Sequence, residues 1–152
     1  GGHSATTILY ATKTTAQYIG FDMWDRDFYE NAALSWVKEH FPSRSIRIIK
    51  GDSTKTVPNT EPLKCDIIHV DGAHHAHYPK TDYINMQRHA SVNNLLLIDD
   101  CTDSWKAVME GVNYATEKHI FKEKPKQFIP KSWSHRGKKK GWCIGEYNKY
   151  KN

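Results

Sequence analysis

Cysteine and long apolar runs are scarce in this sequence, and each scarcity excludes a class of protein. The three cysteines, Cys65, Cys101 and Cys143, stand apart without the close spacing of zinc sites or disulfide frameworks. We therefore expect three free thiols and a reducing, cytoplasmic compartment. No apolar run approaches the roughly 20 residues that a membrane-spanning helix needs, and no basic start leads into an apolar core as in a signal peptide. The sequence predicts a soluble protein that does not bind membranes.

Internal repeats, low-complexity segments and linkers are also missing. The 152 residues are enough to bury a core without disulfides or a structural metal. We therefore predict a single domain over residues 1–152.

The charge is unevenly distributed. The chain has 22 basic and 17 acidic residues, and much of the excess follows Lys118, including the run from Lys138 to Lys140. A basic end can bind nucleic acid, anionic lipid or an acidic substrate. No RNA- or DNA-binding motif accompanies it, so we expect an ordinary solvated loop and no nucleic-acid partner.

Strands alternate with helices along the chain. Apolar patterns predict strands over residues 17–24, 45–50, 67–70 and 95–100, and an antiparallel pair near residues 127–129 and 141–147. Helical spacing is found over residues 5–16, 25–41, 78–90 and 105–119, and Ser4 is placed to cap the first of these helices. The pattern predicts an α/β three-layer sandwich with a mainly parallel sheet.

Acidic residues follow two of the apolar strands directly. One β-branched run stops at Asp71-Gly72, close to three histidines, and the run from Leu95 to Ile98 leads into Asp99 and Asp100. Ligands of open α/β sheets gather at the carboxyl ends of the strands. The two strand ends therefore form a candidate site with three carboxylates.

Five short motifs in order give the chain a family resemblance. They are G-G-H-S at residues 1–4, Y-I-G-F-D at 18–22, I-K-G-D-S at 49–53, D-I-I-H-V-D-G-A-H at 66–74 and L-L-L-I-D-D at 95–100. In this respect the chain resembles class I S-adenosylmethionine-dependent methyltransferases, in the branch of metal-dependent small-molecule and sugar O-methyltransferases. The resemblance implies a Rossmann-like fold, S-adenosylmethionine as the cofactor and a hydroxylated acceptor such as a sugar.

The same resemblance assigns cofactor contacts. Glycines before a helix start let backbone amides approach a bound anionic group, and an acid ending the second strand of the family can accept both ribose hydroxyls. The implied set is Gly1, Gly2, Ser4, Asp22, Asp52, Ser53 and Asp71. Asp22 could instead be a solvated turn acid, and Gly-Asp-Ser is also a common turn.

The resemblance also implies a metal and a base. Asp71, Asp99 and Asp100 match the positions at which enzymes of the catechol O-methyltransferase type hold a divalent cation, here Mg²⁺ or Mn²⁺. Alternatively, some of these acids cap turns and helix starts. His74 stands where that type has a catalytic lysine, so we predict His74 and Asp71 as catalytic residues, with His75 and His77 as exposed loop residues without a role.

Two further expectations concern the chain as a whole. The family begins with a strand that precedes the glycine loop, whereas this sequence starts at the last glycines of that loop, so we expect a fragment truncated at its N-terminus.

The alternative function is an inactive methyltransferase-like module that binds nucleic acid or protein through its basic end. The fold alone does not distinguish an active enzyme from such a module.

Overall fold

The computed structural model describes residues 3–25, 27–130, 134–135 and 137–150, and the chain divides into two compact units, residues 1–56 and 57–152. No helix within these described ranges has both the length and the apolar character needed to cross a bilayer.

The first unit contains a parallel pair of strands. Its elements are α1 (His3–Ala11), β1 (Tyr18–Asp22), α2 (Asp27–His40), β2 (Ile46–Lys50) and α3 (Ser53–Thr56). Strands β1 and β2 pair in parallel, with Asp22 opposite Lys50. The guanidinium of Arg44 donates to the carbonyl of Thr12 at 2.7 Å, and this bond ties the segment after α1 to the start of β2.

The second unit is built on a four-stranded sheet. Its elements are β3 (Cys65–Val70), α4 (Tyr78–Met86), a 3₁₀ turn (Gln87–His89), β4 (Ala90–Ile98), α5 (Lys106–Glu117), β5 (Lys126–Phe128), β6 (Ser134–His135), β7 (Lys138–Lys139) and β8 (Trp142–Gly145). The sheet order is β3-β4-β8-β5, in which β3 and β4 are parallel while β8 runs antiparallel to β4 and β5. Strands β6 and β7 form a separate antiparallel pair.

The core of the second unit lies between this sheet and its helices. Leu96 and Ile98 of β4 and Val112 of α5 are fully buried within one apolar cluster. Burying each such side chain stabilises the fold by about 1.5–3 kcal/mol relative to exposure. Burial therefore alternates along the apolar end of β4, where Leu96 and Ile98 face the core and Leu95 is exposed.

A glycine lets α4 and α5 pack closely. A β-carbon at Gly111 would lie 2.8 Å from the ring of Tyr83 and 3.0 Å from the backbone nitrogen of Lys80. Because a backbone atom cannot move aside without displacing its helix, only glycine fits this contact.

The α/β class, the Rossmann-like character and the antiparallel C-terminal strands are confirmed. Three local predictions are wrong. Ser4 lies inside α1 and therefore does not cap it, β4 begins at Ala90 instead of residue 95, and Trp105 precedes α5.

The prediction of three free thiols is also wrong. Cys101 and Cys143 form a disulfide, with their α-carbons 5.5 Å apart, while Cys65 is free. The pairing is possible because β8 lies next to β4, where Cys143 stands opposite Ile98. The cytoplasmic location stays a prediction, but the argument from unpaired cysteines no longer supports it.

Candidate functional site

The carboxyl ends of β3 and β4 bring the predicted acidic residues together. Val70 and Ile98 are partners in the parallel register, so the residues that follow them leave the sheet side by side. The amide of Asp99 donates to the carbonyl of Val70 at 3.0 Å, which extends the pairing to the acid itself. The predicted proximity of Asp71 to Asp99 and Asp100 is therefore observed.

His74 connects two of these carboxylates. Its Nε2 atom lies 3.5 Å from Oδ1 of Asp71, and its Nδ1 atom lies 3.2 Å from Oδ2 of Asp100. The Asp100 side chain is 1% exposed, whereas the Asp71 side chain is 38% exposed. The imidazole is thus held from the interior by one carboxylate and meets the other near the surface.

Asp100 has an uncommon backbone conformation. Its φ angle of 52° places it in the left-handed region, which aspartate tolerates better than most residues. The turn directly after β4 thereby directs the carboxylate into the unit instead of toward solvent. Left-handed residues of this kind are concentrated at functional sites.

Asp71 and Asp99 have pKa values that are shifted in opposite directions. Burial alone would raise the pKa of Asp71, but interactions with the nearby imidazoles of His74 and His69 and with the Asp99 side chain lower it. Burial, and then the neighbouring charge of Asp71, raise the pKa of Asp99. Asp99 is therefore easier to protonate than an ordinary aspartate, whereas Asp71 is harder to protonate.

Lys140 is a site residue that the sequence did not reveal. Its Nζ atom lies 2.5 Å from Oδ1 of Asp100, and its side chain is 22% exposed. Burial opposes the charged form, but the hydrogen bond to Asp100 and the charges of Asp99, Asp100 and Asp71 raise the pKa of Lys140. The expectation of a solvated loop is thus wrong for this residue, and no spacing signal links it to acids 40 positions earlier.

A divalent cation does not fit this arrangement. Both oxygens of Asp100 are in contact with protein groups, one with Lys140 and the other with His74, and His74 also lies against Asp71. In the part of the chain that the structure describes, no group of three or more histidine, cysteine, aspartate or glutamate side chains could hold a metal ion. The three carboxylates lie together as predicted, but the contacts of Asp100 are with Lys140 and His74.

A cavity of about 390 Å³ opens beside His74. Its lining also includes Ala76, Ser104, Trp105, Lys106, Ala107 and Glu110. The ring of Trp105 packs edge-on against the imidazole, with centroids 4.7 Å apart. The cavity therefore combines one aromatic wall with several hydrogen-bonding groups directly next to the candidate base.

Asp22 lies exposed at the end of β1, as predicted. Its Oδ1 atom accepts a hydrogen bond from the amide of Trp24 at 2.9 Å. The residue borders a cavity of about 110 Å³ whose lining includes Tyr18, Phe21 and Trp24. Burial, and then the charge of Asp22, raise the pKa of Tyr18. A carboxylate beside aromatic rings suits a nucleoside, since it can accept hydroxyl hydrogen bonds while a ring packs on the base.

The other predicted cofactor residues that the structure describes in the first unit lie in or next to its helices. Oδ1 of Asp52 accepts hydrogen bonds from the amide and hydroxyl of Thr54, which makes Asp52 the cap of α3. Ser53 is the first residue of α3, and Ser4 lies within α1. Gly1 and Gly2 lie outside the described residues.

The two further histidines near the acidic cluster are exposed, as expected. His77 stacks on Tyr78 with an interplanar angle of 19°, and the ring of His75 lies 5.3 Å from the same tyrosine. Neither contact connects these histidines to the carboxylates.

Solved structures share this fold at low sequence identity. CalS11, a TDP-rhamnose 3'-O-methyltransferase of calicheamicin biosynthesis, matches 92% of this chain and 63% of its own, with a TM-score of 0.58 and 13% identity. TomG, an O-methyltransferase from Streptomyces achromogenes solved with S-adenosylmethionine, matches 97% of this chain and 70% of its own, with a TM-score of 0.63 and 16% identity. Spermidine synthase from Thermotoga maritima matches 95% of this chain and 50% of its own, with a TM-score of 0.66 and 12% identity.

These likenesses establish the fold, which serves more than one reaction. This chain spans less than two thirds of CalS11 and half of the synthase. No curated protein matches the chain. The model of the methyltransferase domain family matches residues 1–101, well over half of the sequence. On this match, the chain belongs to the methyltransferase domain family.

Proposed function

We propose that the protein is an S-adenosylmethionine-dependent O-methyltransferase that acts on a hydroxylated small molecule, with a sugar as the favoured acceptor class. In this proposal the chain works as one methyltransferase domain over residues 1–152. The observation that carries the proposal is the placement of His74, held by Asp71 and Asp100, on the wall of a polar cavity. Membership of the methyltransferase domain family supports it.

His74 is the proposed base. S-adenosylmethionine, when bound, supplies a methyl group on a positively charged sulfur. An acceptor hydroxyl in the cavity can donate a hydrogen bond to Nε2 of His74, which makes no hydrogen bond in the structure, and this nitrogen takes the proton as the oxygen attacks. Asp71 and Asp100 orient the ring and stabilise the imidazolium that forms, because a carboxylate lies near each of its nitrogens.

The cavity favours a polar acceptor. Four of its seven lining residues, His74, Ser104, Lys106 and Glu110, carry polar or charged side chains. Trp105 adds an apolar surface on which a sugar ring can pack. CalS11, a TDP-rhamnose 3'-O-methyltransferase, acts on an acceptor of this class.

The resemblance implies assistance by Mg²⁺ or Mn²⁺, but the contacts of Asp100 do not favour it. In the described geometry a metal at the three carboxylates would require Lys140 to leave Asp100. Methyl transfer should therefore be measured both with a chelator and with added Mg²⁺.

Calorimetric titration with S-adenosylmethionine is the first test. We expect binding to the wild-type protein and its loss in Asp22→Asn, because the ribose hydroxyls lose an ionised acceptor. Asp25→Asn is the matched control, since Asp25 is an exposed acid three residues further along the chain.

Transfer of a labelled methyl group to a panel of nucleotide sugars and phenols then identifies the acceptor. If the protein binds RNA but not S-adenosylmethionine, the alternative function, an inactive methyltransferase-like binding module, replaces this proposal.

A further inference from the structure

Lys140 places a positive charge inside the acidic cluster. Its Nζ atom contacts one oxygen of Asp100, while His74 contacts the other oxygen of the same carboxylate. Asp100 is almost completely buried, so each of its oxygens needs a partner from within the protein. Lys140 and His74 provide these two partners.

The segment that carries Lys140 is anchored on both sides. The carbonyl of Gly141 accepts a hydrogen bond from the amide of Cys101 at 3.0 Å, and the carbonyl of Lys139 accepts one from the hydroxyl of Thr102 at 3.0 Å. The amide of Lys139 donates to Oγ of Ser104 at 3.1 Å. The residues just before and just after Lys140 are therefore bound to the turn that follows β4.

Covalent and steric contacts reinforce the anchoring. The disulfide joins Cys143 to Cys101, the residue directly after Asp100. A β-carbon at Gly141 would lie 2.8 Å from the side chain of Thr102 and 2.9 Å from the carbonyl of Phe128, so the backbone passes closely between them. Because the fold specifies this path, the ammonium group of Lys140 belongs to the site.

A second cation has little reason to enter the cluster. An ammonium and a divalent ion that shared one carboxylate would lie a few ångströms apart, where like charges repel strongly at reduced dielectric. Mg²⁺ also needs several oxygen ligands in near-octahedral geometry. Lys140 already neutralises the most buried of the three predicted ligands.

We propose that Lys140 is the resident cation of this site and takes the place of the divalent metal. In this role it is a positioning residue, since it neutralises Asp100 and holds that carboxylate against His74, and methyl transfer then proceeds without Mg²⁺. The catalytic part of the inference rests on the proposed function. The exclusion of a divalent metal is independent of the proposed function, because it depends only on the charges of the cluster.

Metal binding tests the inference without any acceptor. Mn²⁺ binding is measured by electron paramagnetic resonance for the wild type, Lys140→Met, Lys140→Arg and Lys139→Met. We expect weak binding to the wild type, to Lys140→Arg, which keeps the charge, and to Lys139→Met, which removes an exposed charge at the preceding residue. Lys140→Met should bind Mn²⁺ at least tenfold more tightly, because it frees the carboxylates.

Two results would overturn the inference. One is wild-type binding of Mn²⁺ in the low micromolar range, which is decisive even if Lys140→Met does not fold. The other is a folded Lys140→Met variant whose Mn²⁺ affinity equals that of the wild type. Failure of S-adenosylmethionine to bind would remove the proposed function but would leave the Mn²⁺ comparison intact.

With an acceptor identified, the chelator gives a second readout. We expect wild-type methyl transfer to be unaffected by EDTA or by Mg²⁺. Lys140→Met should lose at least tenfold in kcat with an unchanged KM for S-adenosylmethionine, and added Mg²⁺ should restore part of that loss. Lys140→Arg should keep metal-independent activity. Abolition of wild-type activity by EDTA and its recovery with Mg²⁺ would contradict the inference.

Discussion

The Nδ1 atom of His74 lies 3.2 Å from Oδ2 of Asp100, a carboxylate with 1% of its side chain exposed. This buried carboxylate fixes the ring orientation, so the opposite nitrogen faces Asp71 near the surface. The candidate base is therefore oriented by the fold before any acceptor binds, and this arrangement has measurable consequences.

Replacement of His74 tests its role as the base. We expect His74→Gln to lower kcat about 10²- to 10⁴-fold, the usual contribution of a positioned general base, while S-adenosylmethionine affinity stays unchanged. The measurement is labelled methyl transfer to the acceptor identified by the panel. His75→Gln is the control, since His75 is exposed and its ring packs near Tyr78. Equal losses in both variants would rule out a specific role for His74.

Reduction of the disulfide should destabilise the protein. Cys101 and Cys143 are separated by 42 residues, and closure of a loop of this length in the unfolded chain corresponds to about 4 kcal/mol in the chain-entropy model. Urea unfolding followed with and without dithiothreitol measures the difference. Cys65→Ser should keep the full effect of the reductant, whereas Cys101→Ser combined with Cys143→Ser should abolish it. Identical midpoints for the reduced and oxidised wild type would contradict the expected stabilisation.

Stability should decrease at mildly acidic pH because of His89. The side chain is 0% exposed, its Nε2 atom lies 3.0 Å from the carbonyl of Val57, and burial lowers its pKa despite that bond. Below the unfolded-state pKa of about 6.5, the unfolded chain therefore binds more protons than the folded one. The contribution of this residue is complete above that pH and is lost as the pH falls toward the folded-state pKa.

The slope of stability against pH measures this effect. We expect the free energy of unfolding to fall by up to about 1.4 kcal/mol per pH unit through His89 as the pH falls below about 6.5. His89→Gln should flatten this part of the curve, while His77→Gln, at an exposed position, should leave it unchanged. A wild-type curve that keeps its slope in His89→Gln would assign the effect to other groups.

Gly111→Ala should destabilise the second unit. Alanine favours a helix over glycine by about 1 kcal/mol, but its β-carbon would lie 3.0 Å from the backbone nitrogen of Lys80 and 2.8 Å from the Tyr83 ring. Overpacking of this kind costs about 1–3 kcal/mol, so we expect a net loss of thermal stability. Asn113→Ala, at an exposed position of the same helix, is the control and should not lower the melting temperature. A stabilised Gly111→Ala variant would show that α4 and α5 separate at little cost.

The local pattern of the sequence was sufficient to predict where strands end in acids. The β-branched run before Asp71 and the leucine run before Asp99 both indicated buried strands, and parallel pairing necessarily brings such ends to one edge. The positions of Asp71, Asp99, Asp100 and His74 could therefore be predicted as one cluster.

The start of β4 could not be predicted in the same way. Asn94 is polar but buried, because its amide donates to the carbonyl of Ser91 at 2.9 Å and its oxygen accepts from the amide of Tyr147 at 2.8 Å. A polar residue that is satisfied by a partner 53 positions away looks like a loop residue in the sequence. The strand consequently extends back to Ala90, five residues before the apolar run that indicated it.

The sequence by itself determined the fold class, the acidic strand ends and the histidine beside them, because these follow from periodicity and from neighbours along the chain. Only the tertiary structure decided that Cys143 pairs with Cys101 and that Lys140 neutralises Asp100. Both contacts join segments about 40 residues apart, and their geometry depends on β8 lying antiparallel beside β4. An isolated lysine or cysteine carries no local signal of such a partner, because the sheet alone brings the two segments together.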